Sequence, residues 1–141
     1  MKILLPVDGS DHTKHMLAWL TTHDELLGKG HEYTVLHVVP PIPPHAMEFL
    51  DPEFLRTYDK DQADTIFKPI QAFIAQHKLN ARYIHKLGNA GDEIAAEAGG
   101  PNGYDLVVMG SHGRGALAGL VMGSAATRVL AACRTPVLLV R

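Results

Sequence analysis

Cysteine is almost absent from this chain: Cys133 stands alone among 141 residues, so no intramolecular disulfide can brace the fold. That usage fits a reducing compartment. Long apolar runs are missing as well, and none approaches the roughly 18 consecutive apolar residues of a membrane span. The start, Met1-Lys2-Ile3-Leu4-Leu5-Pro6-Val7-Asp8, turns acidic too early for a secretory signal. No Gly-Lys-Ser or Gly-Lys-Thr occurs, which removes a Walker-type ATPase. Acidic residues are absent after Asp105, whereas Arg114, Arg128, Arg134 and Arg141 all fall there. What remains is an ordinary globular mixture, 46% hydrophobic and 20% charged. The expectation is one cytoplasmic domain over residues 1–141.

The net charge of −2 is unevenly spread, because the last 36 residues carry +4 and the first 105 carry −6. A +4 block of that length is too dilute to track a nucleic-acid duplex. It is sufficient to attract one anionic small molecule, although solvated surface arginines are the plainer explanation of the same charges.

Apolar runs and helical patterns alternate along the chain. Residues 2–7 form a short apolar run that ends in Asp8-Gly9-Ser10, a turn in which Ser10 can cap a helix. A rough helical stripe follows from 11 to about 27, closed by Gly28 and Gly30. Residues 33–39 read as the second strand. Pro40, Pro41, Pro43 and Pro44 then predict an extended surface excursion. Ile66, Ile70, Phe73 and Ile74 mark a helix over about 59–77, with Pro69 predicted to kink or split it. Strands are expected at 81–87, 104–109 and 136–140, and helices at 90–98, capped by Asn89, and at 124–133.

Strands alternating with helices imply right-handed crossovers and a five-stranded parallel sheet with helices on both faces. In the order 3-2-1-4-5 the winding reverses between the first strand, 2–7, and the fourth, 104–109. A ligand crevice is then expected beyond their carboxyl ends, at Pro6-Val7-Asp8 and Met109-Gly110.

The second of these segments opens a glycine-rich stretch, Gly110-Ser111-His112-Gly113-Arg114-Gly115, that runs on to Gly123-Ser124. Glycines let backbone N–H groups turn toward an anion at close range, and a helix N-terminus adds its dipole. Ser124 can serve as the N-cap or donate to a phosphate oxygen. The competing explanation is a loose connection whose glycines only ease tight turns. Other motifs fit poorly. Gly113-x-Gly115-x-x-Ala118 has the letters of a dinucleotide fingerprint but no acidic residue downstream to hold a ribose. Met109 stands where a nucleophile elbow around Ser111 needs glycine. His12 and His15 share a helix face without a recognisable third metal ligand. Asp8 can accept from a ribose hydroxyl or an adenine amine, or simply cap its own turn.

The spacing Gly110-x2-Gly113-x9-Gly123-Ser124 resembles the nucleotide-binding signature of the universal stress protein (UspA-like) family. Ile3 to Ser10, Leu36-His37-Val38, the segment from Val107 to Gly113 and Thr135 to Val140 resemble it too, in the family's order. The resemblance implies a Rossmann-like fold related to the adenine-nucleotide α-hydrolases, and a cytoplasmic stress-response homodimer that binds ATP. Carried onto this chain, it places Pro6, Val7, Asp8 and Val38 at the adenine and ribose, with Val38 acting through its backbone. Met109 and Gly110 line the floor, and Gly113, Arg114, Gly123, Ser124 and Ala125 surround the phosphates. Ser111 and His112 lie in the same loop. Mg2+ or Mn2+ would bridge phosphate oxygens, and no catalytic residue is nominated. The apolar edge strand 136–140 is the expected dimer contact. Two alternatives stand beside this reading: a nucleotide-free interaction module, and a slow ATP-hydrolysing enzyme of the α-hydrolase type.

Overall fold

The computed structural model describes residues 1–113, 119 and 121–141; Arg114 lies outside the described residues. Among the described residues, eleven elements follow one another: β1 Lys2–Pro6, α1 Asp11–Thr22, α2 Asp24–Leu27, β2 Glu32–Val39, α3 Pro44–Met47, α4 Pro52–Gln76, β3 Asn80–Leu87, α5 Ala90–Ala98, β4 Leu106–Gly110, α6 Ser124–Ala132 and β5 Val137–Val140. The strands form one parallel sheet in the order β3-β2-β1-β4-β5, as the alternation of elements predicts.

Because strand side chains alternate between faces, the sheet feeds two cores. Ile3, Leu5, Tyr33, Val35 and Val108 pack beneath α1 and α4. Leu4, Leu36, Val107 and Met109 pack beneath α5 and α6. The unbroken apolar runs of β1 and β4 therefore reflect burial on both sides.

Two expectations need correction. The first helix ends at Thr22, and α2 is a separate turn after His23, whose backbone leaves the helical region at φ −122° and ψ 45°. Thr21 and Thr22 donate their hydroxyls to the Ala18 carbonyl, and the His23 ring bonds the Trp19 carbonyl at 2.9 Å. These side chains compete with the backbone for the last carbonyls of the turn. The proline-rich excursion, moreover, is helical in part. It contains α3, and α4 begins at Pro52 rather than near 59, with Asp51 as its N-cap bonding the Glu53 N–H at 2.8 Å. Asp followed by Pro is the start signal that was passed over. Pro69 does not split α4. Pro69 sits on the exposed face of the helix, while Ile66, Phe67, Ile70 and Ile74 stay buried on the other side of it.

A buried polar cluster ties α5 to the sheet. Glu97, 7% exposed, accepts from Tyr104 Oη at 2.9 Å and Asn102 Nδ2 at 2.7 Å, and pairs with Lys86 Nζ at 2.9 Å. Arg82 extends the cluster, bonding Thr34 through Nε at 2.8 Å and Tyr104 through its guanidinium at 3.3 Å. Desolvation alone would raise the Glu97 pKa, but its bonds with Lys86, Asn102 and Tyr104 outweigh that and hold it below its ordinary value of 4.5. A depressed folded pKa means stability that is complete above the unfolded value and lost as pH falls through the folded one. Glu97→Gln should narrow its stability gap to wild type as the pH drops below about 4.5. Glu97→Ala should cost about 1–3 kcal/mol at neutral pH, because it takes the acceptor from the Tyr104 hydroxyl and the Asn102 amide. Urea unfolding across the pH range measures both.

Candidate functional site

β1 is hydrogen-bonded between β2 and β4; the β4 ladder stops short of its carboxyl end, and the β2 ladder goes no further than Pro6. Register with β4 covers only Ile3↔Leu106 and Leu4↔Val107. The Lys2 carbonyl accepts from Asp105 N–H at 2.9 Å, so the even-numbered residues of β1 present their peptide groups to β4. Pro6 falls on that edge and has no N–H to continue the ladder. Register with β2 ends at Pro6↔Leu36. Val7 N–H still reaches the Leu36 carbonyl at 2.8 Å, but the Val7 carbonyl is met by the side chain of His37, whose Nδ1 lies 2.7 Å away. A carbonyl only accepts, so Nδ1 carries the proton. The ring is buried, 8% exposed, and set edge-on against Phe67.

A cleft of about 560 Å³ opens where the strands part. Of the nominated residues, Pro6, Val7, Asp8, Val38, Met109, Gly110, His112, Gly113, Gly123, Ser124 and Ala125 line it. Ser111 does not. It is buried, bonds Val140 through its backbone, and its Oγ lies 2.9 Å from His112 Nδ1. Sequence reading passed over a further set of lining residues: Thr13, His37, Tyr58, Gln62, Ile66, Ala90 and Ile94. Tyr58, Gln62 and Ile66 fall at helical spacing on α4; Gln62 and Ile66 lie within the expected helix over about 59–77, and the earlier start at Pro52 adds Tyr58.

Asp8 is fixed from three directions. Its Oδ1 accepts from Ser10 N–H at 3.0 Å, in a turn where Gly9 takes φ +75°, and from the Thr13 hydroxyl at 2.9 Å. That hydroxyl accepts in turn from Asp8 N–H at 3.1 Å, so one buried Thr13 serves both ends of the residue. Its Oδ2 faces the glycine loop, and a Cβ added at Gly113 would lie 2.6 Å from it. Only glycine lets the two segments come this close.

The opposite wall ends in the N-terminus of α6. Gly123 is the N-cap, with φ −74° and ψ 163°, so Ser124 is the first helical residue rather than the cap. No side chain caps this turn. Its leading N–H groups are therefore available to an anion, with the helix dipole favouring negative charge. The cleft thus has apolar walls under β2 and α5, a fixed carboxylate in the middle and an anion-favouring helix end beyond it. Among the described residues, no group of three or more His, Cys, Asp and Glu is placed to hold a metal ion. Nor, among them, is any helix long and apolar enough to cross a membrane.

This architecture is that of a Rossmann-like α/β protein with its cleft at the topological switch point. The model of the universal stress protein family matches residues 1–141, and the chain belongs to that family. It is 32% identical over 139 residues to the universal stress protein encoded in the QAH/OAS sulfhydrylase 3′ region of Thermus aquaticus, covering 99% of this chain and 97% of that one. Among solved structures, the universal stress protein UspA from Lactobacillus plantarum superposes with a TM-score of 0.80 at 23% identity, over 100% of this chain and 97% of that one. A family protein from Arabidopsis thaliana with AMP bound gives 0.70 at 18% identity, over 99% and 90%.

If Thr13 holds Asp8 as described, Thr13→Val should lower stability by about 1–2 kcal/mol by orphaning buried polar groups, while Thr13→Ser retains most of it. Chemical denaturation of the three proteins decides this. Equal losses in Val and Ser would assign the cost to packing.

Proposed function

We propose that the cleft binds an adenine nucleotide, ATP in particular, and that this cytoplasmic stress-response protein uses the bound nucleotide to alter its shape or its partners. The observation that carries the reading is the meeting of Asp8 with the glycine loop directly across from the uncapped start of α6. The AMP-bound Arabidopsis relative supports the ligand class. In this reading the base enters between Val38, Ile94 and Ala90, and Val38 meets it through its peptide groups. Asp8 accepts from the ribose. The phosphates run toward Gly113, Gly123 and Ser124, with Arg114 supplying positive charge. A divalent ion would take its ligands from phosphate oxygens and water, as Mg2+ does by preference, because the described residues offer no cage of their own.

The protein should be purified without added nucleotide, denatured, and its released ligands quantified by anion exchange. Near-stoichiometric ATP is expected. ADP in its place would turn the reading toward slow hydrolysis. No release, followed by no heat on titration with ATP and Mg2+, would remove it in favour of a nucleotide-free interaction module. Gly113→Val and Gly123→Val should each abolish ATP binding while far-UV circular dichroism stays unchanged. A Cβ at Gly113 meets Asp8 Oδ2, and one at Gly123 comes within 3.1 Å of His112 Cα.

We infer also that two copies pair through β5, the strand at the open edge of the sheet next to β4. Val137, Leu138 and Leu139 are only half-buried there, and an apolar edge of this kind calls for cover. Isologous pairing about a two-fold axis would cover both edges at once. Leu138→Lys and Leu139→Glu should sediment as monomers. Dimers from both variants would locate the interface elsewhere.

A further inference from the structure

Continued by one rung, the β1–β2 ladder would carry Val38 N–H to the Val7 carbonyl. That rung is not formed: the register ends at Pro6↔Leu36, and His37 Nδ1 occupies the Val7 carbonyl at 2.7 Å. Leu36 accepts from Val7 on the β1 side, and Val39 accepts from Gly88 on the β3 side at 3.0 Å. Alternation therefore places both peptide groups of Val38 on the edge that faces the cleft, where Val38 is a lining residue.

We propose that His37 is a positioning residue for base recognition: by taking the Val7 carbonyl with its own N–H, it keeps Val38 out of the ladder and available to the ligand. An extended residue whose N–H and C=O point the same way matches the edge of adenine, which presents an acceptor at N1 and a donor at the 6-amino group. It mismatches hypoxanthine, which presents N1–H and a 6-oxo group. His37 would thus help set which purine is preferred without touching it. The imidazole suits the task. Its Nδ1–H donates whether the ring is neutral or charged, and contact with Phe67 fixes its plane. The assignment to a purine base rests on the nucleotide reading above; the role of His37 in ending the ladder does not.

Two measurements separate these layers. In the ligand-free wild-type protein, amide hydrogen exchange should find Leu36 N–H protected and Val38 N–H fast. Equal protection of the two would overturn the proposal, whatever any variant does. Binding of ATP and ITP is then compared by calorimetry in wild type, His37→Leu and His37→Asn. The Leu variant should lose about tenfold or more in ATP affinity, and its preference for ATP over ITP should collapse, because the peptide edge is drawn into the ladder. In that variant the Val38 amide should become protected. Asn, which can place an amide donor near the position of Nδ1, should restore both affinity and preference. A Leu variant that keeps the wild-type preference sinks the proposal. Wild-type protein that binds neither nucleotide removes the purine reading alone, and the Val38 amide still decides the role of His37.

Discussion

Everything at the candidate site depends on how β1 ends. As the strand flanked on both sides by hydrogen-bonded neighbours at the point where the winding reverses, it must release both before a cleft can exist. The two releases use different chemistry. Toward β4 the chain withholds a donor by placing Pro6 on that edge. Toward β2 an acceptor is diverted, since His37 claims the carbonyl that the next rung would use. In the second release His37 itself satisfies the Val7 carbonyl, which left unpaired would cost about as much as a lost hydrogen bond.

The two walls that meet in this opening are built to different rules. The wall under β2 and α5 is apolar, and α5 is held there by Glu97, a buried carboxylate satisfied by Lys86 of β3 and by Asn102 and Tyr104 in the connection to β4. The wall toward β4 and α6 is made of backbone, with side chains pared away at Gly110, Gly113 and Gly123. Asp8 stands between them, immobilised by Ser10 and Thr13 before any ligand arrives. A site fixed in this way loses little side-chain freedom on binding. The third side comes from α4, which starts seven residues earlier than its apolar stripe suggests and so brings Tyr58 over the cleft.

Much of this is legible in the amino-acid sequence. The alternation of apolar runs with helical stripes determined a parallel sheet, because a strand buried on both faces and a helix buried on one leave different periodicities. The position of the cleft followed from strand order, and the spaced glycines Gly110, Gly113 and Gly123 fall on its lining. Local signals were sound where a single turn decided the outcome: Ser10 caps α1, and Asn89 caps α5 by accepting from Asp92 N–H at 3.1 Å. They misled where side chains competed with the helix, as at His23, or where a run of prolines drew attention from Asp51-Pro52.

The sequence by itself thus determined the five strands, the main helices between them and which two loops must meet, since these follow from periodicity and turn chemistry within a few residues. Only the tertiary structure decided the contacts between distant segments: Asp8 against Gly113, Lys86 on Glu97 beneath α5, and His37 on Val7, thirty residues away. The physical reason is that a buried polar atom takes whichever partner the packed sheet brings within reach, and that choice is made across the fold rather than along the chain.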